Sequence, residues 1–135
     1  MELTDEYLTI TDKTSEGFYS EKRSKFLAFA FHVTSEEEVK QIVSDFRKKY
    51  YDARHVCWAY TIGPDYALFR ANDDGEPSST AGKPIIGQIT KNNLTDILII
   101  VVRYYGGVNL GTSGLIVAYR TAAAEAIANA EIIKL

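Results

Sequence analysis

The fold is decided by the stretch Ile97-Leu-Ile-Ile-Val-Val-Arg-Tyr-Tyr-Gly-Gly-Val-Asn-Leu-Gly-Thr-Ser-Gly114. Its first six residues are all apolar, which is typical of a strand that is buried on both faces. Arg103 and a glycine-rich loop follow, and an alanine-rich helical pattern comes next. We therefore predict a central strand over 96–103, a loop over 104–114 and a helix from about Ser113 to Ala130, whose small residues allow close packing on the sheet.

Apolar periodicity and turn residues predict the elements that precede this stretch. Ser35 and Glu38 form a capping box, and apolar residues then recur at helical spacing. Pro84 suits the first turn of a second helix. The predicted elements are strands at 7–10, 24–33, 55–62 and 66–72, a helix at 36–50 and a helix that begins near residue 84.

The segment from Gly63 to Tyr66 contains Pro and Asp and predicts the tight turn of a hairpin. If this turn is closed by its first and last residues, Trp58 lies opposite Ala71 and His55 lies opposite Asp74. A shift of one residue would remove both pairings.

Together these elements predict an α+β domain with a four- or five-stranded mixed sheet and helices packed on one of its faces. The length of 135 residues, the hydrophobic share of 46% and the charged share of 24% are typical of one globular domain. The sequence shows no repeat, linker or low-complexity tract, so we expect residues 1–135 to form a single domain.

The net charge, the cysteine count and the absence of long apolar runs disfavour several classes of protein. The net charge of -3 disfavours a protein that binds duplex nucleic acid through bulk charge. The single cysteine, Cys57, excludes an intrachain disulfide. The acidic N-terminal residues give no secretory signal, and no apolar run is long enough to span a bilayer. We expect a cytoplasmic protein with no membrane contact.

The first candidate segment is Asp73-Asp-Gly-Glu-Pro-Ser-Ser-Thr-Ala-Gly82. Its carboxylates, Asp73, Asp74 and Glu76, have the chemistry to bind Mg²⁺ or to act as acid and base. A solvated turn explains the same residues, and we favour it because Asp and Gly are common in turns. The spacing of an EF-hand is absent, and we predict no metal site.

Ser78, Thr80 and Lys83 place hydroxyls and a positive charge just before a helix, an arrangement that binds anions such as phosphate. N-capping of the helix explains these residues at least as well. A Walker A loop is excluded, because six residues separate Gly75 from Gly82 and a proline replaces the Ser or Thr that binds Mg²⁺.

The second candidate segment, 103–114, joins the buried strand to a helix. Its glycines allow the close approach of a phosphate or a ribose. A structural turn needs fewer than these four glycines beside an Arg and two Tyr, so we favour a binding role. The spacing differs from that of a dinucleotide-binding loop, and we expect no cofactor. The residues that we predict to bind are Arg103, Tyr104, Tyr105, Gly106, Gly107, Asn109 and Gly111.

His55 and Glu76 are the candidate catalytic residues. Asp74 has the chemistry to orient the His55 ring, although a lone histidine is usually structural. Cys57 shares a face with His55 but lies beyond hydrogen-bond distance on an extended strand, so we assign it to the core. The basic and aromatic residues of 47–55 suit either single-stranded nucleic acid or a helix C-terminus, and we favour the helix terminus.

These motifs together resemble the Impact/YigZ family over roughly residues 15–130. The shared pattern consists of Gly82, Ile85, Ile86, Ile89, Leu94 and the stretch from Ile100 to Gly111. The segment 73–82 is similar to the family's second motif, and 22–26 and 55–60 are similar to its N-terminal landmarks. Ser79 and Ser113 depart from the family, which usually has glycine at both positions, and a Cβ there limits backbone freedom.

The resemblance implies a fold like domain 2 of ribosomal protein S5, which is shared with a domain of translocation elongation factors. It also implies a link to translation, because eukaryotic members bind a ribosome-associated activator of the kinase that phosphorylates an initiation factor. Bacterial members commonly continue into a smaller ferredoxin-like domain, which we do not expect in this chain.

Three functions remain open. We favour a non-catalytic, translation-associated regulatory module that binds a ribosome-associated protein or RNA through loops 73–82 and 103–114. The first alternative is a nucleic-acid-binding protein that uses the cations Arg103, Lys83 and Arg54 and the pair Tyr104 and Tyr105. The second is an enzyme that acts on a phosphorylated small molecule or nucleotide, which requires His55, Glu76 and Arg103 to converge in one pocket.

Overall fold

A computed structural model describes residues 7–134 and confirms the α+β class. The three predicted helices begin within about two residues of the observed ones. The elements in order are β1 (Leu8–Ile10), β2 (Ser15–Glu21), β3 (Ser24–His32), α1 (Glu36–Lys49), β4 (His55–Ile62), β5 (Leu68–Asn72), α2 (Gly82–Lys91), β6 (Ile97–Tyr104), α3 (Gly111–Ala128) and β7 (Ile132–Lys134). None of the helices in this part of the chain is both long enough and apolar enough to cross a membrane.

The strand β6 lies at the centre of a five-stranded sheet with the order β2-β3-β6-β4-β5. The number of strands agrees with the prediction, but the prediction of a mixed sheet is wrong, because every adjacent pair is antiparallel. β3 and β4 run parallel to each other, but β6 lies between them and pairs with both. No parallel pair therefore forms in this sheet.

Helices cover both faces of the sheet, so the predicted packing on one face is wrong. Ile99 and Val101 of β6 pack in one core with α2 and α3, whereas Ile100 and Val102 pack in a second core with α1. Successive side chains of a strand point to opposite faces. Because every residue of 97–102 is apolar and fully buried, this strand requires cover on both sides.

The helix α3 lies close to β2, as the alanine-rich pattern predicts. Ala122 and Ala126 are fully buried in the core on this face. A Cβ on Gly17 of β2 would lie 2.5 Å from the backbone nitrogen of Ala126, and the Ser15 hydroxyl donates to the carbonyl of Ala126 over 2.8 Å. Small residues on both elements therefore set the distance between helix and sheet.

Two strands, β2 and β7, are absent from the sequence prediction. β2 consists mainly of small and polar residues, and β7 has three residues. The strand predicted at 7–10 is present as β1, but it pairs with β7 in a separate two-stranded sheet.

The predicted register of the β4–β5 hairpin is wrong by one residue, because Trp58 lies opposite Asn72 instead of Ala71. A 3-10 turn over Pro64–Tyr66 joins the strands, and β5 begins at Leu68, later than predicted. Ala67 thus lengthens the connection by one residue. The longer loop moves every partner along the strand.

Candidate functional site

The two candidate segments meet at one end of the sheet, on the face covered by α2 and α3. His55, the first residue of β4, is the register partner of Arg103 near the end of β6. Paired residues project from the same face of a sheet. The segment 73–82 passes directly beside them, and the carbonyl of Asp74 lies 2.7 Å from His55 Nδ1. The ring is therefore held by main chain and not by the Asp74 carboxylate.

Glu76 lies at the centre of this site. Arg103 Nη1 donates to both of its carboxylate oxygens, over 3.0 and 2.7 Å. The Tyr119 hydroxyl donates to Oε2 over 2.5 Å, and His55 Nε2 lies 3.4 Å from Oε1. Glu76 is 7% exposed and Arg103 5% exposed. A buried charge of this kind is tolerated because it is paired and hydrogen-bonded.

The hydroxyl of Tyr119 and the thiol of Cys57 extend the cluster into the core. The Cys57 thiol donates to the carbonyl of Asp73 over 3.1 Å and lies 3.4 Å from the Tyr119 oxygen. Burial raises the pKa of Tyr119 and the pKa of Cys57 above their ordinary values. Cys57 is fully buried, which confirms its assignment to the core, and its raised pKa keeps it a poor nucleophile.

The guanidinium of Arg103 has further contacts that fix its position. Nη2 lies 3.5 Å from the Ser24 hydroxyl, and the group lies over the rings of Phe26 and Tyr105, 5.5 Å from each centroid. Nε is buried without a partner among the described residues. Arg103 is thus a rigid part of the wall of the site.

A cleft of about 330 Å³ opens beside this cluster. Its wall combines the buried groups with exposed residues of the second segment and the first turn of α3. The residues that line it include His55, Glu76, Arg103, Tyr105, Asn109 and Gly111, together with Arg54, Pro77, Leu110, Thr112 and Leu115. His55, Glu76 and Arg103 therefore converge in one pocket.

Arg54 and Tyr105 form the outer rim of the cleft. The Arg54 guanidinium lies 4.7 Å from the centroid of the Tyr105 ring, and the Tyr105 hydroxyl donates to the Asn109 side chain over 3.2 Å. α3 begins beside this rim without a side-chain cap. Gly111 and Thr112, the first two residues of this helix, line the end of the cleft, and the first N–H groups of a helix have no acceptor within the helix.

Asp73 and Asp74 stabilise the loop instead of lining the cleft. The Asp73 carboxylate accepts from the backbone N–H groups of Ser79, Ala81 and Gly82, and it thereby caps the start of α2. The Asp74 carboxylate accepts from Val56 N over 2.7 Å and pairs with an arginine of α1. The structure thus assigns both residues to the turn that the sequence favours, although that turn is partly buried.

Four other predicted residues lie away from the cleft. Ser78 and Lys83 are exposed, and Thr80 is buried and donates to the carbonyl of Pro77 over 2.6 Å. Tyr104 projects from the opposite face of the sheet and donates to Asp52 over 3.0 Å. Neighbouring residues of a strand point to opposite faces, so Tyr104 and Tyr105 do not act on one surface.

The glycines of the second segment have different roles. Gly106 donates to the Ser24 hydroxyl over 3.1 Å, and a Cβ there would lie 2.2 Å from the backbone carbon of Arg23. Gly107 and Gly111 have φ of 89° and 77°, a region that favours glycine. Gly106 therefore allows close packing, and the other two allow the turn into α3.

Sequence reasoning missed the role of Tyr119 and Ser24. Tyr119 belongs to the apolar stripe of α3, so helical periodicity assigns it to the core and gives no sign of its hydroxyl partner. One signal was available, because a lone hydroxyl in a stripe of alanines requires a polar partner when it is buried. Residues 7–134 contain no group of three His, Cys, Asp or Glu side chains that could hold a metal ion.

Comparison with known proteins assigns this chain to a family. The Impact N-terminal domain profile matches residues 22–127. The chain is similar to the "IMPACT family member YvyE" of Bacillus subtilis, with 37% identity over 121 residues, which cover 90% of the chain and 55% of the relative.

Two solved structures have the same architecture. A crystal structure of a hypothetical protein matches 98% of the chain and 65% of its own length, with 34% identity and a TM-score of 0.92. The structure of the two-domain translational regulator Yih1 matches 96% of the chain and 49% of its own length, with 25% identity and a TM-score of 0.53. The chain spans about half the length of YvyE and of Yih1. By its profile match and its identity to these relatives, the chain belongs to the Impact family.

Proposed function

We propose that this domain is a cytoplasmic, translation-associated regulatory module that binds a partner protein through the cleft between segments 73–82 and 103–114. The link to translation is supported by Yih1, which is a translational regulator and shares the fold. The role in binding is supported by the cleft itself.

The observation that carries this proposal is the division of the cleft into a rigid wall and an exposed rim. Glu76 and Arg103 are buried and bonded to each other. Tyr105, on the rim, is 37% exposed, and Arg54 stacks on Tyr105. Exposed aromatic and arginine side chains on a rigid support are typical of residues that anchor protein interfaces.

The charge of the cleft favours a protein over RNA. Arg103 is neutralised by Glu76, so among the described residues that line the cleft, Arg54 is the one Lys or Arg without an ion pair. Binding of a nucleic-acid backbone neutralises several phosphates at once. A protein partner needs a few well-packed contacts, which this rim offers.

The test is co-sedimentation with ribosomes and their associated proteins, prepared from the source organism at low salt. We expect the double variant Arg54→Ala/Tyr105→Ala to bind at least about tenfold less, a loss of about 1.4 kcal/mol. The control is Val117→Ala, since Val117 is exposed on α3 outside the cleft. Circular dichroism verifies that all variants are folded.

Two outcomes would contradict the proposal. Equal binding by the double variant and the control would show that the cleft is not the interface. Binding to protein-free RNA that equals binding to the ribosomal fraction, with a steep dependence on salt, would identify RNA as the partner.

The convergence of His55, Glu76 and Arg103 favours a second candidate, an enzyme that acts on a phosphorylated small molecule. In this candidate the phosphate binds the free N–H groups at the start of α3, and His55 transfers a proton. Titration with inorganic phosphate and with nucleoside monophosphates, followed by NMR of Gly111 and Thr112, tests it. No shift at millimolar concentration would exclude the candidate.

A further inference from the structure

A second cleft lies on the other face of the sheet, between α1 and the strands β4 and β5. Its volume is about 380 Å³, which is the size of a small ligand site. Val39 and Val43 of α1 form one wall, and Trp58 and Tyr60 of β4 form the other. The sheet separates this cleft from the one that contains Glu76, because Trp58 and Glu76 belong to opposite faces.

The rim of this second cleft has an excess of positive charge. Lys40, Arg47 and Arg70 line it, and Glu36 is the one carboxylate among the lining residues. Glu36 accepts a hydrogen bond from the Tyr60 hydroxyl, and Arg47 pairs with Asp74 over 3.0 Å.

The other two cations of the rim, Lys40 and Arg70, form no ion pair with any residue of 7–134. Both are exposed. Two positive charges beside an apolar floor suit a ligand that is apolar at one end and anionic at the other.

The floor of the cleft includes the indole ring of Trp58. Trp58 is 8% exposed, and its indole Nε1 has no hydrogen-bond partner among the described residues. The ring is stacked on Tyr60, with 5.9 Å between centroids, and the Arg70 guanidinium lies 5.8 Å above it. Because Nε1 itself is buried, Trp58 offers the cleft the apolar surface of its ring and not its N–H group.

We propose that this cleft binds a small organic anion, whose apolar body packs on Val39, Val43 and the Trp58 ring and whose carboxylate or phosphate is bound by Lys40 and Arg70. The apolar walls supply affinity, and the few charged groups supply orientation, as in most small-molecule sites. This site is independent of the partner proposed for the first cleft.

The sequence contains one tryptophan, so the indole N–H resonance of Trp58 reports on this cleft alone. The probes are phenylacetate, octanoate and phenyl phosphate, and the matched neutral compounds are phenylacetamide and octanamide. We expect a saturable shift of the indole resonance with phenylacetate or octanoate, and binding of the corresponding amide at least about tenfold weaker.

The matched variants are Lys40→Gln and Arg70→Gln, with Lys91→Gln as control, because Lys91 is an exposed cation in the last turn of α2. We expect each of the first two to weaken anion binding about tenfold and the control to leave it unchanged. Arg54→Ala/Tyr105→Ala should leave it unchanged as well, which separates this site from the first cleft.

Three results would overturn the proposal. They are the absence of a saturable shift with all three anions at millimolar concentration, equal binding of the neutral compounds, and unchanged binding in Lys40→Gln/Arg70→Gln. Both residues are exposed and without ion pairs to described residues, so the variants are expected to fold, and far-ultraviolet circular dichroism verifies this.

Discussion

The segments 73–82 and 103–114 are both rich in glycine and lie just before helices, but their side chains have different roles. In the first, Asp73 accepts three backbone N–H bonds and Glu76 is buried, so the side chains point inward and hold the loop. In the second, Tyr105, Val108 and Asn109 are exposed. In the first segment a carboxylate accepts hydrogen bonds from the backbone of its own loop, so that loop has a structural role. The amino-acid composition of the two segments does not reveal this difference.

The largest effect should come from the buried pair. We expect Glu76→Gln to lower the free energy of unfolding by about 3–5 kcal/mol, because it leaves the buried charge of Arg103 without its partner. Denaturation in urea measures the loss. The control is Arg47→Gln, which removes the more exposed pair with Asp74 and should cost at most about 1 kcal/mol. Similar losses in the two variants would contradict this assignment.

The second prediction concerns the cap of α2. We expect Asp73→Ala to lower the free energy of unfolding by about 2–3 kcal/mol, because three backbone N–H groups lose a charged acceptor. Asn109→Ala in the second segment should change stability by less than about 0.5 kcal/mol, since Asn109 is exposed. Thermal unfolding of both variants measures the two losses. Equal losses would contradict the structural role assigned to the first segment.

The third prediction concerns Gly106, the position in the second segment where we expect a substitution to reduce stability, as Asp73→Ala does in the first. We expect Gly106→Ala to cost about 2 kcal/mol, because the added Cβ would lie 2.2 Å from the backbone of Arg23. Gly87→Ala is the matched control, since nothing lies within 4 Å of a Cβ there and the residue is inside α2. Gly87→Ala should raise the free energy of unfolding by up to about 1 kcal/mol. An unchanged free energy of unfolding in Gly106→Ala would show that the backbone near Arg23 moves to accommodate the added Cβ at no cost.

The smallest effect concerns Ser79, which has φ of 66°, a region that favours glycine. We expect Ser79→Gly to raise the free energy of unfolding by about 0.5 kcal/mol, because relief of backbone strain exceeds the added chain entropy. Ser113→Gly should do the reverse, by about 0.5 kcal/mol, since Ser113 lies in the first turns of α3. A loss in Ser79→Gly would show that the loop is relaxed with serine in place.

Much of the fold could be predicted from the sequence, because the apolar run 97–102 identifies the central strand directly. The same run requires cover on both faces, and the apolar alternation of Val56, Trp58 and Tyr60 shows where the second layer lies. The prediction of one layer overlooked this requirement. The register of β5 could not be predicted, because it depends on the conformation of the turn at Asp65 and Tyr66, both at positive φ.

The candidate site could be predicted only in part. Glu76 and Arg103 are 27 residues apart in the chain. Neither periodicity nor motif spacing predicts that two segments so far apart in the chain are in contact. Their contact depends on the pairing of β4 with β6, which places His55 beside Arg103. Sequence patterns assign residues to elements, whereas a polar cluster depends on how distant elements pair.

The central position of β6 has a consequence for synthesis of the chain. The hairpins β2–β3 and β4–β5 are complete before residue 97 is made, yet the strand that joins them is β6. Until it emerges, β3 and β4 each present an unpaired apolar edge, which is open to association with other chains. Nascent chains that end before residue 97 are therefore expected to aggregate or to recruit chaperones, and addition of β6 together with α3 should convert two separate hairpins into a cooperative domain.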